Sequence, residues 1–153
     1  MTCSALSKPL LYDSQLKYRI GLVRKRLESH PLDSMNFLMM DLERPELRVR
    51  HAHWCTYDLT GRTLLFYALA DGIDGQHTER LNELYERIMN NRRRSGAFGR
   101  CAGYGERPAD ESGLPSHFIS GLVEYYRLSG DMRALNAAVE CAEKALSEGE
   151  KFY

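Results

Sequence analysis

Four carboxylates and one histidine are the residues with most chemistry to offer. Glu106, Asp110 and Glu111 fall in a stretch from Ser95 to Ser116 that holds five glycines and two prolines (Gly96, Gly99, Gly103, Gly105, Gly113, Pro108, Pro115), and Asp58 leads into an apolar segment. Two carboxyl groups facing each other across a sugar are what most glycoside hydrolysis requires. Each acid also has a structural role open to it. Asp58 suits the first turn of a helix, Glu106 can pair with Arg107, and Asp110 or Glu111 can cap the helix that follows. His117 stands just after the glycine-rich stretch, where the spacing predicts a first helical turn. The helix dipole disfavours an imidazolium there and leaves a neutral ring able to bond a hydroxyl. A buried ring bonded to a backbone carbonyl is the plain alternative.

Trp54, Tyr57 and Tyr104 can stack on the C–H faces of a sugar, although a core position suits the single tryptophan equally. His51 and His53 are two apart and would point the same way from an extended segment. The sequence places no third ligand beside them, so no metal is expected. Cys3, Cys55, Cys101 and Cys141 show no paired ligand spacing and read as free thiols in a reducing cytoplasm. Gly99, Gly103 and Gly105 follow no strand, so neither a phosphate loop nor a nucleotide cofactor is expected.

These residues need helices to position them. Leu16, Ile20, Val23 and Leu27 recur at helical spacing over 14–29, and His30-Pro31 ends that helix. Residues 32–40 form a mostly apolar short helix or packed strap. A second helix is predicted over 57–70, with Leu65, Ala68 and Leu69 on its buried side and Gly72 and Gly75 as its stop. A third covers 78–91 and buries Leu81, Leu84, Tyr85 and Ile88. A fourth runs over 115–128 with Phe118, Leu122 and Tyr125 on one stripe. Ser129-Gly130 closes it, and Asp131 caps a fifth over 132–147 that buries Leu135, Ala138, Val139, Ala142 and Leu146. No segment alternates as a half-buried strand does. Short connections make the second and third helices, and the fourth and fifth, antiparallel hairpins. The fold class is all-α.

Composition bounds the partners. Lys plus Arg and Asp plus Glu balance at 21 each, so no net field draws the chain to nucleic acid or anionic lipid. Arg92-Arg93-Arg94 is a basic cluster that suits a solvated helix end. No apolar run approaches the roughly 20 residues of a membrane helix, and Met1-Thr2-Cys3-Ser4 does not open a secretory leader.

Two helical families share some of these features. Leu122 to Leu146, with Tyr125-Tyr126 and Ser129-Gly130-Asp131, superficially resembles a tetratricopeptide unit, but no second copy appears at the roughly 34-residue period. A longer set of landmarks runs Asn36-Phe37, Trp54-Cys55-Thr56-Tyr57-Asp58-Leu59, Gly61-Arg62, Gly96-Ala97-Phe98-Gly99, Ser116-His117-Phe118-Ile119, Tyr125-Tyr126 and Ser129-Gly130-Asp131. Their order, over residues 14–147, resembles the N-terminal part of the β-L-arabinofuranosidase-type glycoside hydrolases, whose fold is an (α/α)6 toroid of helical hairpins.

The resemblance implies a carbohydrate ligand met by Trp54, Asp58, Tyr104, Asp110, Glu111 and His117. It departs from the family where Asp110-Glu111 stands for a His-Glu pair and Ser116-His117 for Gly-His. The family's acid/base glutamate and cysteine-rich zinc site belong to its later half, so residues 1–153 are expected to be an incomplete part of a larger (α/α)6 catalytic domain, without a cofactor and inactive alone. Helix faces awaiting further hairpins imply a homo-oligomer. The other function left open is a helical-hairpin scaffold that presents a groove to a protein.

Overall fold

The computed structural model describes residues 15–43, 58–75, 78–92 and 115–149. They form six helices and, among the described residues, no strand. These are α1 (Gln15–Leu27), α2 (Met35–Glu43), α3 (Asp58–Asp74), α4 (Glu79–Asn90), α5 (Pro115–Ser129) and α6 (Met132–Gly149). The segment read as a helix or a strap is thus a helix, α2. No helix among the described residues is long and apolar enough to cross a membrane.

Local chemistry sets the boundaries. α4 begins because the Thr78 hydroxyl accepts from the Leu81 amide, leaving one fewer orphan donor in its first turn. α3 ends at Gly75, whose φ of 66° is a left-handed conformation that a residue with a Cβ adopts at a cost. Gly72 does not stop α3, contrary to the sequence expectation. It lies inside the helix with open space around it, because a glycine ends a helix only where the backbone actually turns left-handed. Gly130, with φ 75°, separates α5 from α6, and Asp131 then accepts the Arg133 amide at 2.8 Å as the cap of α6.

Two hairpins, α3/α4 and α5/α6, stand side by side, with α2 packed on the first of them. In the α3/α4 hairpin the Thr78 amide donates to Asp71 and Arg80 donates to the Tyr67 hydroxyl, so the helices run antiparallel. Between hairpins, like helices are parallel. Gly61 lies against His117 and Phe118 while Gly121 lies against Leu64 and Leu65, so α3 and α5 advance in the same direction. Glu86 pairs with Arg133 and Arg92 with Glu140, which gives α4 and α6 the same relation. On the other side, the Thr60 hydroxyl donates to the Leu38 carbonyl at 2.6 Å, and Arg87 bonds Asn36 and Glu43 of α2. Arg24 of α1 reaches Asp71 and Asp74 near the end of α3.

The core lies between the hairpins. Leu38, Met39 and Leu42 of α2, Leu64 and Tyr67 of α3, Leu81, Leu84, Tyr85 and Ile88 of α4 and Phe118 and Leu122 of α5 are all buried. The periodicity read in α4 and α5 is therefore the buried face. Two other faces are rotated from expectation. α3 buries Thr60, Gly61, Leu64, Tyr67, Ala68 and Asp71, and leaves Leu69 exposed. α6 turns Ala134, Ala137, Ala138 and Cys141 inward, and leaves Val139 and Leu146 exposed. In α6 the small residues take the inward contact, and the larger Val139 and Leu146 stand outside it. In α1 only Leu27 is fully covered; Leu16 and Val23 of its predicted stripe are exposed.

The α3–α5 contact is made backbone to backbone. A Cβ on Gly61 would lie 3.1 Å from the His117 Cβ and 3.1 Å from the Phe118 nitrogen. One on Gly121 would lie 3.0 Å from the Leu64 side chain and 3.1 Å from the Leu65 nitrogen. Two helical alanine substitutions should therefore differ in sign. Gly61→Ala should destabilise the protein by about 1–3 kcal/mol through overpacking. Gly72→Ala, which meets nothing within 4 Å, should stabilise it by about 0.5–1 kcal/mol through backbone entropy. Urea unfolding followed by circular dichroism checks both.

Candidate functional site

The hairpins have two unlike ends. The turns at 28–34 and 130–131 share one end with the start of α4, because Arg80 bonds the carbonyls of Leu32 and Asp33 while Asp131 bonds Tyr85 of α4. The N-termini of α3 and α5 lie at the other end. Asp58 opens α3, His117 lies in the first turn of α5, and the contact of Gly61 with His117 holds the two first turns together. The structure thus brings the backbone positions of two predicted sugar-contact residues to one end of the array. His117 is half-buried there. Trp54, Tyr104, Asp110 and Glu111 lie outside the described residues, as do Tyr57, Glu106, Cys101, His51 and His53. Among the described residues no group of three or more His, Cys, Asp or Glu side chains is placed to hold a metal ion.

At the turn end the structure shows polar hubs, of whose charged residues only Asp131 stood out in the sequence, as a helix cap. Asp71 is fully buried within α3. It accepts from Arg24 at 2.8 Å, from the Thr78 amide at 2.8 Å and from the Thr78 hydroxyl at 2.9 Å. One carboxylate thereby ties α1 to α3 and completes the cap of α4. Burial works against the Arg24 charge, but Asp71 and Asp74 more than offset it and hold its pKa above the ordinary value. The visible signal was an acid among the apolar residues of a helix, followed by a threonine at the next helix start.

Arg80 is a second hub. Its guanidinium donates to the Tyr67 hydroxyl at 3.0 Å and to the carbonyls of Leu32 at 2.7 Å and Asp33 at 3.0 Å. A fork of fixed donors suits a turn whose carbonyls have no helical partner.

The third hub joins α4, α5 and α6. The rings of Tyr85 and Tyr125 stack with centroids 3.8 Å apart and planes 16° apart. The Tyr125 hydroxyl donates to Asn82 at 2.9 Å and that of Tyr85 to Asp131 at 3.1 Å. Arg133 bonds Asp131 at 2.7 Å and Glu86 at 2.6 Å, with its guanidinium carbon 5.5 Å from the Tyr85 ring centre. Burial, and then the Asp131 carboxylate, push the Tyr85 phenol well above its usual range. The bond from Arg133, aided by its amide and by Tyr85, holds the Asp131 carboxyl below the usual range. Each group of the three hubs has its bonds made by another helix or turn, which is the arrangement of a structural tie.

Compared with known protein families, with curated proteins and with solved structures, the chain matches none of them.

Two stability tests follow from the ties. Asp71→Ala leaves the Thr78 amide without its buried acceptor and Arg24 with Asp74 alone, and should cost about 1–3 kcal/mol, read from the urea midpoint. Asp131 has a lowered folded pKa, so its stabilising share is complete above the ordinary carboxylate pKa of about 4 and is lost as pH falls through the folded value. Stability of the unaltered chain should therefore drop with acid below about pH 4, and Asp131→Asn should flatten that part of the drop.

Proposed function

We propose that this chain is a carbohydrate-binding part of a glycoside hydrolase-like helical array, contributing sugar-contacting residues at the N-terminal ends of α3 and α5. The observation that carries this reading is the contact between those two first turns, which places Asp58 and His117 at one end of parallel neighbouring helices. Hairpins set side by side with like helices parallel are also the local arrangement that an (α/α)6 ring repeats. Trp54 lies between α2 and α3 in the sequence, and Tyr104, Asp110 and Glu111 lie between α4 and α5.

A second reading, a helical-hairpin scaffold for a protein partner, is favoured by the apolar residues that α6 leaves exposed, Met132, Val139 and Leu146.

Titration calorimetry against arabinose, galactose and uronic-acid oligosaccharides separates the two. A saturable heat with at least one of them, reduced tenfold or more in Asp58→Asn at unchanged helicity, is the expected result. Silence across the panel overturns the carbohydrate reading and leaves the scaffold.

A further inference from the structure

α1 is held to the rest of the chain unlike any other described helix. α2 and α4 each bury four large side chains, α5 buries three, and α6 buries four small ones. Of the 13 residues of α1 only Leu27, its last, is buried. Ile20 and Arg24 are half-buried and the other ten are exposed, Leu16, Tyr18, Leu22 and Val23 among them. A helix shorter than about 12–15 residues is marginal in water when it stands alone. Gly21, in the interior of α1 with open space around it, lowers that margin further. The helical state of α1 therefore depends on what holds it to its neighbours.

Its strongest contacts lie toward its C-terminal end. The Leu27 side chain enters the core. The Arg24 guanidinium donates to Asp71 at 2.8 Å and to Asp74 at 3.0 Å, with its carbon 6.0 Å from the Tyr67 ring centre. The turn that follows is fastened separately. Arg80 of α4 donates to the Leu32 and Asp33 carbonyls, and the Ser34 hydroxyl accepts the Phe37 amide at the start of α2. Neither tie involves residues 15–26, so α1 can leave its place while the turn stays where it is.

We propose that α1 is a latched arm: it opens and unwinds as one unit while α2–α6 stay folded, and the tie of Arg24 to Asp71 and Asp74 is its latch. Few buried apolar contacts mark the segments of a protein that open by themselves, and α1 has the fewest here. Opening takes a guanidinium off two carboxylates and Leu27 out of the core, so the closed state is the stable one. Asp71 keeps its two bonds from Thr78 when the arm leaves, so the cap of α4 survives the opening. The open state removes the cover of Arg24 from Asp71, Asp74 and the Tyr67 ring at the turn end of the array.

Amide hydrogen exchange of the full chain, followed by mass spectrometry of its peptides, tests the proposal. In the unaltered protein the α1 amides should be protected, yet exchange about tenfold or more faster than those of α4 and α5. Asp74→Ala removes one of the two carboxylates of the latch and should speed α1 exchange about fivefold or more. Gly61→Ala strains the α3–α5 contact, which the arm does not use. It should therefore speed exchange in α5 and leave α1 unchanged. If α1 exchanges as slowly as α4, or if Gly61→Ala speeds it as much as α5, it opens only when the whole chain unfolds and the proposal is overturned. Unprotected α1 amides, or rates that Asp74→Ala leaves unchanged, overturn it likewise.

Discussion

The absence of a side chain at Gly61 and Gly121 lets α3 and α5 touch along their backbones, and most of the architecture depends on that contact. At this separation a single Cβ would press on backbone atoms at 3.1–3.2 Å, so a larger residue makes its neighbours give way. The close approach brings Leu64 against α5 and buries Phe118 and Leu122. It also makes α3 and α5 parallel neighbours, with α4 and α6 following as the outer pair. The first turns of α3 and α5 meet for the same reason, so the candidate binding end exists only because of the glycines.

A contact of this kind fixes separation well and rotation poorly. Rotation is set by the polar ties at the turn end. Asp71, Arg80 and Asp131 each bind groups from neighbouring helices or turns whose donors or acceptors lack a helical partner. Such bonds contribute little net energy each, but leaving one unmade in a buried place costs more. The ties therefore select one rotation of each helix, and the buried faces of α3 and α6 follow from that selection.

The same arrangement explains why the array ends in an apolar flank. Hairpins that stack by like-on-like contact present the same kind of surface on both sides of each unit. The first and last units then carry that surface outward, as Leu16 and Val23 do on α1 and Val139 and Leu146 on α6.

The sequence by itself determined five of the six described helices, all but α2, and several of their faces. Leu81, Leu84, Tyr85 and Ile88, and Phe118, Leu122 and Tyr125, were legible because one dominant neighbour makes hydrophobic period and buried face coincide. The cap at Asp131 and the left-handed turn at Gly130 were legible because they are local chemistry. Only the tertiary structure decided that Thr60 and Asp71 belong to the core, since a buried polar group is stable when its partner comes from elsewhere in the chain, as Leu38 and Arg24 do. It alone showed that Gly61 marks a close approach while Gly72 marks nothing, because the difference is the atom on the far side of the contact. Of the predicted carbohydrate end, the residue types of Asp58 and His117 were in the sequence, and their nearness required two helices far apart in the chain to lie side by side.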